Sequence, residues 1–223
     1  RRANSVLPLE NGNIPLSEKV LECEKIYAAH NLPCVFKMTK AAPAGLQELL
    51  VQKGYAYNAE TDLMHVTAAD EKFLARCEEI IEPEEIGVIV TPFLDETWLD
   101  CYFKWENRTD PKIIDINRKQ FELVDDDNNL SAIYCRIQMS GEDVAVASVV
   151  IEDGNAFLLN VVVDETVRGK GYGKILVKDI LETACNFGAE NIYLQVVADN
   201  NVAIKMYESF GFKFLYKYWY MLK

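Results

Sequence analysis

The chain has 223 residues, of which 50% are apolar and 26% are charged. This composition is typical of a globular protein with one large or two small domains, and it excludes a disordered tail protein. The 35 acidic side chains outnumber the 23 basic ones and give a net charge of −12. That charge excludes general binding to nucleic acids or anionic lipids, because both need a basic surface.

The sequence contains no window of roughly 18 consecutive apolar residues, which a membrane span would need. Residues 1–6 also lack the apolar segment of a signal peptide. We therefore expect a soluble cytoplasmic protein that does not associate with membranes. Because the chain begins without Met, we interpret it as a fragment or a trimmed product.

Acidic residues are concentrated in the middle of the chain. Residues 81–150 hold 6 basic and 15 acidic side chains, including the run Asp125-Asp126-Asp127. A solvated acidic surface is one explanation for this run of charge. A site that attracts a cationic partner is the other.

The six cysteines lie far apart and form no C-x-x-C pair; they are Cys23, Cys34, Cys77, Cys101, Cys135 and Cys185. Only two histidines, His30 and His65, are available to complete a metal site. We therefore predict reduced, buried thiols and no metal site.

Apolar spacing and turn residues predict the following elements in the first half of the chain. A helix over 17–30 with Ser17 as its N-cap is followed by a strand over 34–38, a helix over 43–50 and a strand that ends near 66. A linker helix over 72–81 and a strand over 87–90 come next. Two helices follow, one through 98–105 with Asp95 or Thr97 as its cap and one over 111–123.

The second half begins with a meander of three strands, over 132–139, 144–151 and 157–163. It continues with a helix over 172–187, a strand over 192–197, a helix over 201–210 and a strand over 212–222. Because a run of strands precedes alternating helices and strands, the pattern predicts an α/β or α+β layer fold.

The order of elements repeats at a spacing of 157 residues. Leu50-Val51-Gln52-Lys53-Gly54-Tyr55 aligns with Tyr207-Glu208-Ser209-Phe210-Gly211-Phe212, and the strand near Val35 aligns with the one near Ile192. A chance likeness between two helix-glycine-strand units is one explanation. The matching order of four elements favours a duplication, in which residues 1–66 are the second half of an earlier copy.

The most informative segment joins a buried strand, Val161-Val162-Val163, to a glycine-rich turn and then to a helix. Gly169, Gly171 and Gly173 alternate there with Lys170 and Tyr172, and Arg168 and Lys174 flank them. Glycines allow backbone N–H groups to approach a ligand, and the start of a helix attracts anions. The segment therefore predicts a phosphate or pyrophosphate site. Its spacing fits neither the Walker pattern G-x-x-x-x-G-K-[ST] nor the dinucleotide pattern G-x-G-x-x-G.

Two motifs in this part of the chain resemble those of the GCN5-related N-acetyltransferase (GNAT) family. Arg168-x-x-Gly171-x-Gly173 fits the coenzyme A signature Q/R-x-x-G-x-G/A of that family. The residues from Asn200 to Phe212 fit N-x-x-A-x-x-x-Y-x-x-x-G-F. The resemblance covers about residues 85–223 and implies a central mixed sheet flanked by helices, preceded by a smaller, degenerate GNAT-like α/β half-domain.

The resemblance also implies roles for individual residues. The strand near residue 161 would diverge from its parallel neighbour, and the exposed backbone would bind pantetheine. Asn200 would position the pantetheine end, and Tyr207 would protonate the departing thiolate as a general acid. The residues so assigned to acetyl-CoA are Val161, Val162, Val163, Arg168, Gly169, Lys170, Gly171, Tyr172, Gly173, Lys174, Asn200 and Tyr207. A packed core aromatic is the alternative role for Tyr207.

One position departs from the pattern of family members that acetylate protein N-termini. Those members usually carry Glu five residues before the motif asparagine, where this chain has Gln195. Gln cannot accept a proton at neutral pH, which weakens that interpretation. Glu96, Asp100 or Asp199 could serve as base directly or through water, and an amine that arrives deprotonated would need little help.

An acceptor pocket is predicted between the helices of 96–121, the meander and the last strand. Its aromatic candidates are Trp98, Tyr102, Trp105, Tyr216, Tyr218, Trp219 and Tyr220. Core packing is the expected role for most of them, while one or two could line a pocket for a cationic amine.

Together these observations predict a degenerate GNAT-like half-domain over 1–67, a linker helix over 68–84 and a catalytic GNAT domain over 85–223. The expected activity is transfer of an acetyl group from acetyl-CoA to a primary amine by direct attack. The acceptor would be a cationic small molecule, an amino-acid-like amine or a peptide, and the protein would be a monomer or a homodimer. The alternative is a non-catalytic module that binds or senses acyl-CoA.

Overall fold

The structure, a computed structural model, describes residues 4–10, 12–125, 127 and 130–223. Asp126, within the acidic run noted above, therefore lies outside the described residues. The chain forms two compact units. The first comprises the residues up to Leu63 together with Val196–Ile204 and Phe214–Lys223, and the second comprises Met64–Gln195 and Lys205–Lys213. No helix among the described residues is long and apolar enough to cross a membrane.

The helices and strands are, in chain order, α1 (Leu16–Ala29), β1 (Val35–Thr39), α2 (Leu46–Gln52), β2 (Ala56–Thr67), α3 (Glu71–Glu79), β3 (Ile86–Thr91), α4 (Glu96–Trp105), α5 (Pro111–Asp125), β4 (Ser131–Met139), β5 (Glu142–Glu152), β6 (Asn155–Val163), α6 (Tyr172–Asn186), β7 (Asn191–Val197), α7 (Asn201–Ser209) and β8 (Lys213–Leu222). The type and order of every predicted element are confirmed.

In the first unit, the strands lie in the order β1-β8-β2. Strands β1 and β8 are antiparallel, with a register that runs from Val35↔Leu222 to Thr39↔Tyr218. Val6 adds a parallel bridge to Phe36 on the other edge of β1. A core of apolar side chains from α1, α2 and these strands covers one side; it includes Val20, Phe36, Leu50 and Met221.

In the second unit, the strands lie in the order β7-β6-β5-β4-β3. Neighbours are antiparallel except β6 and β7, which are parallel, so the sheet is mixed. Val162 packs in a core with Trp98 and Leu99 of α4, whereas the adjacent Val163 approaches Gly173 of α6. Successive strand residues point to opposite faces, so α4 and α6 flank the sheet on opposite sides, as predicted.

Two helix starts differ from the prediction. Helix α1 begins after Pro15, which makes no side-chain cap, so Ser17 lies inside the first turn and the predicted Ser17 cap is wrong. Helix α2 begins after Gly45, whose φ is 81°, and not near Pro43. The cap of α4 is Asp95, whose carboxylate accepts a hydrogen bond from the Trp98 N–H at 2.7 Å. Thr97 therefore has no capping role.

The spacing of 157 residues recurs in the observed elements. Shifted by that number, β1 falls on β7, α1 and α2 fall on α6 and α7, and β2 falls on β8, with bounds that agree to within a few residues. The compact units cut across the predicted ranges 1–67 and 85–223, because most of β8 clusters with residues 1–63. The ranges 1–67 and 85–223 therefore stay a prediction about the two copies of a duplication, and they do not coincide with the compact units.

Candidate active site

The parallel strands β6 and β7 pair along only part of their length. Their register runs from Asn155↔Asn191 to Leu158↔Leu194, and no further pair follows among the described residues. Strand β6 nevertheless continues to Val163. The backbone groups of its last five residues on that edge are therefore not used by β7, as the family resemblance implies.

A β-bulge explains why β6 changes direction at this point. The pairs Val146↔Val162 and Ser148↔Leu159 leave two residues of β6 opposite one residue of β5. One of the two, Asn160, has a left-handed φ of 54°, and its Nδ2 donates a hydrogen bond to the buried Ser148 Oγ at 2.8 Å. Bulges bend a strand and re-aim its side chains. Asn160 belongs to no motif that points to a bulge, although Asn is one of the non-glycine residues enriched in this conformation.

The turn after β6 is held by its own side chains. The Asp164 carboxylate accepts hydrogen bonds from the Thr166 N–H and hydroxyl at 2.9 and 2.8 Å and so caps a single 3₁₀ turn, Glu165–Val167. The Arg168 Nε donates to the Val163 carbonyl at 3.1 Å. Arg168 and Lys170 are exposed, so the turn presents basic side chains to solvent.

Two glycines of the turn are required by backbone conformation. Gly169 and Gly171 have φ values of 82° and 95°, and a Cβ added at either would meet no atom within 4 Å. Gly171 is also the N-cap residue of α6 and supplies no side-chain cap. Helix α6 therefore begins without a side chain over its first amides, which is the arrangement that binds anions at a helix start.

The remaining predicted turn residues differ in their surroundings. Gly173 lies in the first turn of α6, where a Cβ would come within 3.5 Å of Met206 Sδ and Val163 Cγ2. Lys174 is exposed. Tyr172 is buried, and its hydroxyl contacts Met139 Sδ. Only the backbone of Tyr172 is therefore available to a ligand.

Tyr207 is buried on α7, with 6% of its surface exposed. Its ring packs edge-on against Phe212 at a centroid distance of 5.9 Å. Burial raises the pKa of the Tyr207 phenol to about 12, so the group stays protonated at neutral pH. None of the described residues hydrogen-bonds to its hydroxyl, which leaves it able to donate to a ligand.

Asn200 belongs to the first unit and caps α7. Its Oδ1 accepts a hydrogen bond from the Ala203 N–H at 3.1 Å. An N-cap side chain satisfies one of the unpaired amides at a helix start. In this structure the observed role of Asn200 is thus to start the helix that carries Tyr207.

The candidate bases are not equivalent. Glu96 pairs with Arg118, and a hydrogen bond from that guanidinium holds the pKa of the carboxyl below its usual value. Glu96 is therefore a poor base. Asp100 and Asp199 are exposed, and Gln195 is half-buried.

Most of the predicted acceptor aromatics belong to the core. Trp98 is fully buried, and its indole N–H donates to the Ala147 carbonyl at 2.9 Å. Tyr102 stacks on Trp98 with ring centroids 5.4 Å apart, and Tyr218 and Tyr220 are also buried.

Trp105, Tyr216 and Trp219 keep some exposure. Trp105 was predicted only as an aromatic of this region, but its indole N–H donates to Asp164 at 3.1 Å.

The six thiols are protonated, since burial raises the pKa of each cysteine. All six are free, and Cys77 and Cys135 are fully buried. Within the described part of the chain, no three His, Cys, Asp or Glu side chains are arranged to hold a metal ion.

A cavity of about 230 Å³ lies in the first unit between the segment after Val6, α1, α2 and β1. Most side chains that line it are apolar, with Lys19 and Glu10 as the charged exceptions, and none is a glycine. When α1 and α2, which line this cavity, are shifted by 157 residues, they fall on α6 and α7, the helices that would hold the cofactor. The cavity, however, has no counterpart of the basic glycine turn.

Comparisons with known proteins agree with this geometry. The model of the acetyltransferase (GNAT) family matches residues 91–212. The uncharacterized N-acetyltransferase YobR of Bacillus subtilis is 27% identical over 231 residues, covering 100% of this chain and 85% of that protein. The [ribosomal protein bS18]-alanine N-acetyltransferase of Salmonella typhimurium is 30% identical over 83 residues, covering 35% of this chain and 55% of that protein.

A spermine/spermidine N(1)-acetyltransferase of Bacillus subtilis is 33% identical over 64 residues, covering 28% of this chain and 42% of that protein. Among solved structures, a tandem GNAT protein from the clavulanic acid biosynthesis pathway superposes with a TM-score of 0.74 at 14% identity, covering 92% of this chain and 69% of that one. This last likeness shows the fold. Because the family model spans more than half of the chain, the chain belongs to the acetyltransferase (GNAT) family, as an acyl-CoA-dependent N-acetyltransferase.

Proposed function

We propose that the protein transfers an acetyl group from acetyl-CoA to the primary amine of a cationic small molecule or amino-acid-like acceptor. The observation that carries this proposal is the end of the β6–β7 pairing at Leu158↔Leu194, together with the start of α6 at Gly171, which has no side-chain cap. A strand edge with free backbone groups beside an anion site suits a ligand that has an amide-containing arm and a pyrophosphate.

The residues that would hold acetyl-CoA follow from these features. The free edge of Val161, Val162 and Val163 would bind the pantetheine arm. The turn from Arg168 through Gly169, Lys170, Gly171, Tyr172 and Gly173 to Lys174 would bind the pyrophosphate. The exposed basic side chains add charge there, and charge-assisted hydrogen bonds to phosphate are the stronger kind. Asn200 would contribute by fixing the start of α7.

Tyr207 would act as the general acid. In a direct transfer, the amine nitrogen attacks the acetyl carbonyl carbon, the carbon–sulfur bond breaks, and the sulfur takes the phenolic proton of Tyr207. The attacking nitrogen must be a neutral amine, so a protonated acceptor first loses one proton, either before it binds or through water to Asp100 or Asp199. After the attack the nitrogen loses a second proton, which returns through water to the Tyr207 phenolate and restores the phenol. The protonated thiols are poor nucleophiles, which favours direct attack over a covalent intermediate.

A cationic acceptor is supported by the acidic middle of the chain, residues 81–150. Gln195 disfavours an acceptor that needs a strong base. By their names, one relative acts on spermine and spermidine and another on an alanine of a ribosomal protein. The same Gln195 supports a second candidate, a non-catalytic module that binds acyl-CoA.

We also propose that residues 1–67 are a degenerate copy of the same fold, joined by a linker over 68–84 to a catalytic domain over 85–223. The repeated element bounds support this. In the sequence alignment of the copies, the counterpart of the pyrophosphate turn is Pro8 to Asn13, which has no basic residue; Asn11 lies outside the described residues.

The direct test is release of free thiol from acetyl-CoA with a panel of amines that includes spermidine, free amino acids and a peptide that begins with alanine. We expect acetylation of at least one cationic amine, confirmed by mass spectrometry. Tight binding of coenzyme A with no product from any amine would support the non-catalytic module instead.

A further inference from the structure

Asp164 makes hydrogen bonds in two directions. Its Oδ1 accepts from the Thr166 N–H at 2.9 Å and from the Thr166 hydroxyl at 2.8 Å. Its Oδ2 accepts from the Trp105 indole N–H at 3.1 Å. One carboxylate thus joins the turn after β6 to the last residue of α4.

The hydrogen bonds favour the ionised carboxylate. The pKa of Asp164 lies below its usual value, chiefly because of the Thr166 N–H, with the Thr166 hydroxyl and the Trp105 indole contributing. Its backbone N–H also donates to the Val144 carbonyl at 2.9 Å. Asp164 is therefore held from both its backbone and its side chain.

The two ends of this contact lie on two segments, the one that leads into the proposed pyrophosphate turn and the region 96–121, in which the sequence predicts the acceptor pocket. On one side, Arg168 begins the proposed pyrophosphate turn only four residues after Asp164. On the other side, Trp105 ends α4, and the exposed loop of residues 106–110 follows directly. The earlier turns of α4 are packed in the core through Trp98, Leu99, Tyr102 and Phe103.

We propose that Asp164 and Trp105 are positioning residues that couple the cofactor turn to the loop 106–110 on the acceptor side. This coupling rests on the proposed function, and it would regulate amine binding at that site. Coenzyme A on the turn would strengthen the Asp164–Trp105 bond that is already present and so hold the loop 106–110 for the amine. Binding of the cofactor and of the amine then reinforce one another, as linkage between two sites requires.

Three variants separate this role from a merely structural one. Trp105→Phe keeps an aromatic ring but removes the indole donor. Asp164→Asn keeps the size of the side chain, but only the oxygen of its amide can accept a hydrogen bond. The amide NH2 group is a donor, and it would face either the Trp105 indole N–H or the Thr166 donors. Glu165→Gln is the matched control, because it removes one negative charge from the neighbouring exposed position. Thermal unfolding verifies that each variant is folded.

The first measurement is a titration with coenzyme A, in which binding is monitored by calorimetry and by tryptophan fluorescence emission. In the wild type, we expect emission to change as coenzyme A binds. In Trp105→Phe that change should be lost, although affinity stays within about threefold. Asp164→Asn should bind about tenfold more weakly and show no emission change at saturation, while Glu165→Gln should match the wild type.

The second measurement is the split between KM and kcat with the best amine of the panel. Because coupling between sites is commonly 5–150-fold, Trp105→Phe should raise the KM for the amine by about tenfold at saturating acetyl-CoA. The KM for acetyl-CoA, measured with the amine far below its own KM so that the coupling does not contribute, should stay within about twofold. An emission change that persists in Trp105→Phe, or an Asp164→Asn protein that behaves as the wild type in both measurements, would overturn the coupling alone. A wild type that binds no coenzyme A would overturn the proposed function as well.

Discussion

Lys217 and Glu60 form an ion pair, with Nζ and Oε2 2.6 Å apart, and their positions in the chain differ by 157. This number is the spacing at which the sequence and the elements repeat. Glu60 lies on β2 and Lys217 on β8, which are neighbouring strands of the first unit. Under the proposed duplication, Glu60 and Lys217 are equivalent positions of the two copies.

The ion pair predicts a pH dependence of stability. The hydrogen bond from Lys217 lowers the pKa of Glu60 below its ordinary value of 4.5. A lowered carboxyl pKa contributes stability above the pKa of the unfolded chain and loses it as pH falls through the folded value. The melting temperature of Lys217→Gln should therefore lie below that of the wild type at pH 7. The difference should shrink as the pH falls below 4.5; a difference that is unchanged at low pH would contradict the role of the pair.

A second prediction concerns Gly171 at the start of α6. Gly171→Ala places a methyl group at a φ of 95° and where a phosphate would approach the helix amides. Loss of one charge-assisted hydrogen bond costs about 1.5–3 kcal/mol, so affinity for coenzyme A should fall by about tenfold or more, as measured by calorimetry.

Gly188 provides the control for that experiment. It follows the other end of α6 with a φ of 90°, and a Cβ there would also meet no atom within 4 Å. Gly188→Ala carries the same backbone strain of about 1–2 kcal/mol and should lower the melting temperature by a similar amount. Its coenzyme A affinity should equal that of the wild type; an equal loss in both variants would mean that strain alone explains Gly171→Ala.

A third prediction is the number of binding sites. The cavity in the first unit is mostly apolar and lacks a basic glycine turn. Calorimetry should therefore give one coenzyme A per chain, and Gly171→Glu should abolish that single site by repelling phosphate. Two sites per chain, or one site that survives Gly171→Glu, would show that residues 1–67 bind the cofactor.

The local features of this chain are predictable from its sequence. Asp95 caps α4, and the alternating glycines lie in a strand-to-helix turn, because caps and turns depend on residues that are neighbours in the chain. The sequence predicts a helix start at Pro43, two residues before the observed one, because the left-handed Gly45, and not the proline, sets the start of α2. Likewise, Pro15 fixes the start of α1, and the Ser17 side chain has no free amide to cap.

The long-range features could not be predicted from the sequence. The bulge at Asn160 depends on the register with Ser148 of the next strand. The Asp164–Trp105 bond joins residues 59 positions apart, and neither residue carries a pattern that points to the other. The burial of Trp98 against Phe121, Tyr134 and Ala147 is likewise a property of packing, since its helical spacing equally fits a pocket wall.

The pH profile tests the ionisation state of Tyr207. Since burial raises the pKa of this phenol to about 12, the phenol stays protonated at lower pH, as a general acid must. The rate of acetyl transfer should therefore show no decline caused by Tyr207 between about pH 6 and pH 10. Acceptors whose amines differ in pKa should shift the rising limb if the amine arrives deprotonated. A rising limb that stays fixed would point to a carboxylate base reached through water.

The most direct test of the whole account is the single-turnover rate of acetyl transfer by Tyr207→Phe, measured with the enzyme in excess over acetyl-CoA. The ring and its packing on Phe212 remain in this variant, so coenzyme A affinity should stay close to that of the wild type. We predict that the rate falls by about 10²–10⁴-fold, the usual effect of a lost general acid. A Tyr207→Phe protein that transfers acetyl at the wild-type rate would contradict the assignment of Tyr207 as the catalytic acid.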